Sequence, residues 1–150
     1  MLSVQTRHAL RAAVELARHH GVRSVSTLEM AAATGAPRKS LEASLGKLRR
    51  AELVLSMRGP RGGYVLTRPP DHINFADIIR ALDGAAELPL CDASTSGPCA
   101  TCRQPAACTV QAALLAASDA VSAILQDWTL AKALAAADEP QSGARRLSAV

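Results

Sequence analysis

The chain has 150 residues, 49% of them apolar, with one Phe, one Tyr and one Trp, and a net charge of +4. That length fits one domain, or one small domain with an appendage, and a core built from Ala, Leu, Val and Ile. No apolar run approaches the roughly 18 residues that span a bilayer, and no basic, apolar leader opens the chain, so a cytoplasmic protein without membrane association is expected.

The charge is unevenly placed. Residues 1–80 hold 13 Lys+Arg against 6 Asp+Glu, whereas residues 81–150 hold 4 against 7. A basic first half suits a polyanion such as DNA, although a merely solvated basic surface would have the same composition.

In chain order, Leu10, Ala13, Val14 and Ala17 share one helical face, with Arg7, Arg11, Glu15 and Arg18 elsewhere, which predicts an amphipathic first helix ending near Gly21. Ser26 followed by Glu29 is a capping box and starts a second helix, which Thr34-Gly35-Ala36-Pro37 stops. A third helix follows, burying Leu41, Leu45 and Leu48 and exposing Arg38, Lys39, Lys47, Arg49 and Arg50. Two short helices joined by a Gly turn, the second basic, describe a helix-turn-helix.

Leu53–Met57 and Tyr64–Thr67 read as strands around Arg58-Gly-Pro-Arg-Gly-Gly63, a hairpin whose Gly-rich tip can approach phosphates closely. Asn74 is a plausible N-cap for a helix carrying Phe75, Ile78, Ile79 and Leu82 and ending at Gly84. Beyond Cys108, Val110, Leu114, Ala117, Val121, Ile124, Trp128, Ala131 and Ala135 recur at spacings of four and three, a seam of the kind that pairs helices. Thr129 is also able to cap a separate last helix. The expected organisation is a winged helix-turn-helix over residues 1–84, a cysteine-rich loop over 85–108, a dimerisation helix over 109–137 and a disordered tail over 138–150. The fold class is mainly α with a small β-hairpin wing.

All four cysteines, Cys91, Cys99, Cys102 and Cys108, fall in the loop, among Gly, Pro, Ser and Thr. Clustered thiols in a reducing compartment point to metal or redox chemistry. Thiolates are soft ligands that suit iron–sulfur clusters and zinc. Structural zinc and a thiol–disulfide switch are the rival readings: zinc sites usually show two close cysteine pairs, and here only Cys99 and Cys102 are close.

The run Arg58-Gly59-Pro60-Arg61-Gly62-Gly63-Tyr64-Val65-Leu66, preceded by Leu53-Val54 and followed by Arg68, Ile73, Asp77-Ile78, Ala81-Leu82-Asp83-Gly84 and clustered cysteines, resembles the Rrf2 family of winged-helix transcription factors. That family includes an iron–sulfur cluster regulator and a nitric-oxide-sensitive repressor. Leu2-Ser3, Arg7 and Ala9-Leu10-Arg11 are similar to the family's first helix, and the resemblance covers about residues 1–135. It implies a homodimer on a partly palindromic double-stranded DNA operator. It further implies that the helix from Pro37 to Arg50 enters the major groove, that the Arg58–Gly63 wing reaches the minor groove or its phosphates, and that the long C-terminal helix crosses between subunits.

In cluster-binding members three loop cysteines hold a [2Fe–2S] or [4Fe–4S] centre. Here Cys91-x7-Cys99 and Cys102-x5-Cys108 both match the family's gaps, so one cysteine is extra, and either Cys99 or Cys102 is the middle ligand unless all four serve. The family's fourth ligands do not carry over. Gln111 stands where one member type has histidine, and Arg7 where another has an acidic residue.

The functional expectation is a homodimeric DNA-binding transcriptional regulator, repressor or activator, not an enzyme, sensing redox state, nitric oxide or iron through an iron–sulfur cluster on Cys91, Cys99, Cys102 and Cys108. A thiol–disulfide or cofactor-free regulator is the alternative, and a small electron-transfer protein the reading from another class. Arg38 and Lys39 are placed to meet base edges, and Arg49, Arg58 and Arg61 to meet phosphates; Ser40, Lys47 and Gly62 complete the expected DNA-binding set.

Overall fold

The computed structural model describes residues 2–60, 62–84 and 109–138. Arg61, the cysteine loop and the tail beyond Asp138 lie outside the described residues.

Helix α1 (Val4–Arg18) starts at Ser3, whose Oγ accepts from the Thr6 amide. It buries Ala9, Ala12, Ala13, Leu16 and Ala17. Four of those five are alanines, so α2, α3, α4 and α6 all approach its axis closely. Helix α2 (Thr27–Thr34) carries the expected capping box: the Ser26 side chain takes the Glu29 amide while Glu29 takes the Ser26 amide. Gly35 ends α2 at φ +67°, a conformation that a side chain disfavours. Helix α3 (Arg38–Arg50) follows Pro37 and buries Leu41, Ser44, Leu45 and Leu48. Helices α2 and α3 thus form the helix-turn-helix that the sequence predicts.

The passage from α3 to the hairpin is tight. Glu52 takes φ +57°, and the Leu53 amide bonds back to the Leu48 carbonyl at 3.0 Å. Strands β1 (Val54–Met57) and β2 (Gly63–Leu66) pair antiparallel, with Val54 opposite Leu66 and Met57 opposite Gly63. A link with no local signal fixes this hairpin in place: Val25, just before α2, bridges Tyr64 by two backbone hydrogen bonds of 3.0 and 2.9 Å. A short 3-10 turn (Pro70–His72) leads to α4 (Phe75–Asp83), which opens on an Asn74–Asp77 capping box.

The seam over 109–137, expected as a dimerisation helix with Thr129 able to cap a separate last one, is divided at that threonine. Helix α5 spans Thr109–Asp127, and α6 spans Leu130–Asp138. The break follows from what surrounds it. The Phe75 amide bonds to the Trp128 carbonyl and the Leu130 amide to the Ile73 carbonyl, both at 2.9 Å. Leu130 is fully buried, and Thr129 caps α6 by accepting from the Lys132 amide. Two backbone bonds and one buried leucine outweigh continuation of the helix. The Trp128 ring lies 6.2 Å from Phe75 and stays partly exposed. One core therefore joins α1, α2, α3, the hairpin, α4 and Leu130.

Candidate nucleic-acid interface

Helix α3 has two unlike sides. Leu41, Ser44, Leu45 and Leu48 face the core, whereas Lys39, Glu42, Ala43, Arg49 and Arg50 are exposed. Along the outward ridge, Lys39, Ala43, Gly46 and Arg50 recur at four, three and four residues, with small residues between two cations. Such a ridge lets a helix backbone approach a groove floor. Arg38 at the helix start pairs with Glu42 at 2.9 Å; both are solvent-exposed, so the pair is weak and exchangeable.

The N-terminal end of α3 is also distinctive. Helices α2 and α4 open on full capping boxes, but no side chain caps α3, which starts at Pro37. Its amide-rich, positive dipole end stands beside Arg38 and Lys39. Ser40 is half-buried, and its carbonyl accepts the Ser44 hydroxyl at 2.9 Å.

Lys47 departs from the expected exposure. It is half-buried, and its Nζ donates to the Leu82 carbonyl at the end of α4, 2.8 Å away. Polarity alone assigns it to the outer face; its place on the helix puts it on the flank that turns toward α4. Arg49 and Arg58 are exposed as expected. The Gly62 amide donates to the Gly59 carbonyl at 2.8 Å and closes the hairpin tip, with Pro60 preset for the bend.

The supports behind this surface are polar and specific. Glu29 is drawn down to about 2 by hydrogen bonds from the Ser26 amide and hydroxyl, then by Arg23. Arg23 reaches its carboxylate at 2.7 Å, tying the α1–α2 loop to the start of α2. At the other end of α1, buried Thr6 donates to the Asp83 carboxylate and Gln5 donates to Ser44 of α3 at 3.3 Å. Neither Thr6–Asp83 nor Val25–Tyr64 has a signal in the sequence, since partners so far apart leave no periodicity.

On α5, Ala117, Val121 and Ile124 are exposed, so the expected apolar stripe stands uncovered over its described part; the Val110 and Leu114 side chains lie outside the described residues.

A family model of Rrf2, described as an iron-dependent transcriptional regulator, matches residues 2–136. The chain belongs to the Rrf2 family. It is a transcriptional regulator of that family, whose members bind DNA and typically act as dimers. An rrf2-like helix-turn-helix regulator of Rhodobacter capsulatus is 35% identical over 115 residues, 74% of this chain and 77% of that protein. Among solved structures, CymR of B. subtilis, described as its global cysteine regulator, superposes with a TM-score of 0.77 at 30% identity, covering 91% of this chain and 97% of that one. IscR of T. potens gives a TM-score of 0.75 at 29% identity, covering 95% and 92%.

The four cysteines fall outside the described residues, and so does any site they form. Among the described residues, no group of three His, Cys, Asp or Glu side chains could hold a metal. By chain order residues 85–108 lie between Gly84 at the end of α4 and Thr109, the first residue of α5. As a donor set, four thiols suit a soft iron or zinc centre. Among the described residues no helix is long and apolar enough to cross a membrane.

Proposed function

We propose that the chain acts as a homodimer on a partly palindromic operator and that its cysteine loop senses redox state, nitric oxide or iron. The observation that carries the DNA part is the outward ridge of α3, small in the middle and cationic at Lys39 and Arg50, beside an uncapped helix start. Arg38 and Lys39 would meet base edges in the major groove. Arg49, Arg58, Arg61 and the Gly62 backbone would meet phosphates, with Ser40 near the helix start. Lys47 leaves that set, because its ammonium is already engaged by Leu82. The exposed stripe of Val121, Ile124 and Trp128 would pair with a second copy.

Cys91, Cys99, Cys102 and Cys108, or three of them, would hold an iron–sulfur cluster. When bound, such a centre supplies a group that changes on oxidation, nitrosylation or iron loss. The protein's part is to tie that change to α4 and α5, between which the loop is inserted. A thiol–disulfide switch on the same cysteines is the second reading, favoured by the similarity to Staphylococcus aureus CymR, whose structure is described as an oxidized form.

One preparation handled without air separates the two. The cluster reading expects a brown protein with iron and acid-labile sulfide, and loss of visible absorbance in Cys91→Ser or Cys108→Ser. The switch reading expects a colourless protein whose thiol count falls on oxidation. Binding to the chain's own upstream DNA that is identical in the four-serine variant, with and without air, would refute both. Arg61→Ala should weaken binding to all sequences alike and lower the salt slope by about one.

A further inference from the structure

Helix α4 is tied at both ends. At its start, residues 73–75 hold the α5–α6 junction through the Phe75–Trp128 and Ile73–Leu130 backbone bonds. At its end, two elements grip consecutive residues. Lys47 of α3 donates to the Leu82 carbonyl, and Thr6 of α1 donates to the Asp83 carboxylate. The next residue is Gly84, after which the cysteine loop begins.

The chemistry of the Lys47 contact is specific. Leu82 is in the last turn of α4, where carbonyls have no partner inside the helix. That end is also the negative end of the helix dipole, where an ammonium is stabilised. Lys47 is rooted one turn before Arg50, on the helix that carries Lys39 and Ala43 outward. A displacement of the last turn of α4 therefore strains or breaks this bond, redirects the lysine side chain, or draws on α3.

We propose that Lys47 is a positioning residue: it couples the state of the cysteine loop to the DNA-reading helix through Leu82, with Thr6–Asp83 anchoring the same turn to α1. The proposal rests on the cysteine loop being the sensor. It gives the cysteine segment a physical route to α3, through two hydrogen bonds on the last residues of α4 before Gly84.

The test uses the full chain with Lys47→Met, Lys47→Arg and Asp83→Ala, and a duplex spanning the chain's own upstream region. Affinity is measured for protein kept without air and after exposure to air, across a salt series. In the wild type the two states should differ in affinity. Lys47→Met should bring that ratio toward one, a loss of about fivefold or more in coupling, with the salt slope unchanged. Lys47→Arg should restore the ratio, and Asp83→Ala should reduce it in the same direction.

A salt slope lowered by about one in Lys47→Met would make Lys47 a phosphate contact and overturn the proposal. A wild-type ratio that survives intact in Lys47→Met would overturn the coupling through Lys47, whatever Asp83→Ala does. A wild-type ratio of one would overturn the loop's response to oxygen and the coupling with it.

Discussion

Gly63→Ala is a stringent test of how the wing is held. A Cβ built on Gly63 would stand 2.4 Å from the Val25 carbonyl oxygen, 2.6 Å from its carbon and 2.9 Å from the Ser26 nitrogen. All three are backbone atoms, so no side-chain rotation relieves the overlap. The segment at Val25 and β2 must part, and the two bonds between Val25 and Tyr64 are lost or stretched. At about 0.5–1.5 kcal/mol each, that removes about 1–3 kcal/mol. Val25, now fully buried, also regains some contact with water. For a chain of this size the melting temperature should fall by about 3–10 °C. Circular dichroism melts give that number, and fluorescence anisotropy with the upstream duplex gives the second readout: affinity should fall, because the wing no longer sits at a fixed place relative to α2. A variant that melts within about 1 °C of the wild type and binds equally well would show that the Val25–Tyr64 bridge does not fix the wing.

Other substitutions should behave differently. Gly46→Ala, in the interior of α3 with nothing within 4 Å of the added Cβ, should stabilise the fold by about 0.5–1 kcal/mol in a denaturant titration. If it also weakens DNA binding, the small ridge of α3 lies against the groove. Leu130→Ala removes a fully buried side chain and should destabilise by about 2–5 kcal/mol, freeing α6 from the Ile73 segment; proteolysis after residue 128 reports the release. Glu29 has a lowered carboxyl pKa, so its contribution is present above about 4.5 and fades as pH falls toward about 2. Relative to Glu29→Gln, the wild type should therefore lose stability across that window and only there. Parallel denaturation curves from pH 7 to 2 would contradict this.

Much of the fold is written in short stretches of sequence. Ser26 with Glu29, and Asn74 at the head of α4, announce helix starts because cap and partner are three residues apart. Gly35 ends α2 and the Gly-rich run bends the hairpin, because those conformations are set by the residue itself. The leucine spacing of α3 gave its inner face, and the cations that remained gave most of its outer one.

Tertiary structure alone decided the rest. Whether Lys47 faces solvent or Leu82, whether the C-terminal seam runs on or uses the cap that Thr129 offers, and which backbone holds the wing all depend on partners dozens of residues away. Glu52 at positive φ is a local feature that the sequence also hides: no glycine marks it, and it goes with the Leu48–Leu53 closure. Periodicity records which side of an element is apolar, since burial acts on every turn alike. It does not record a single hydrogen bond between distant segments, because that bond exists only once the packed core has brought the two segments together.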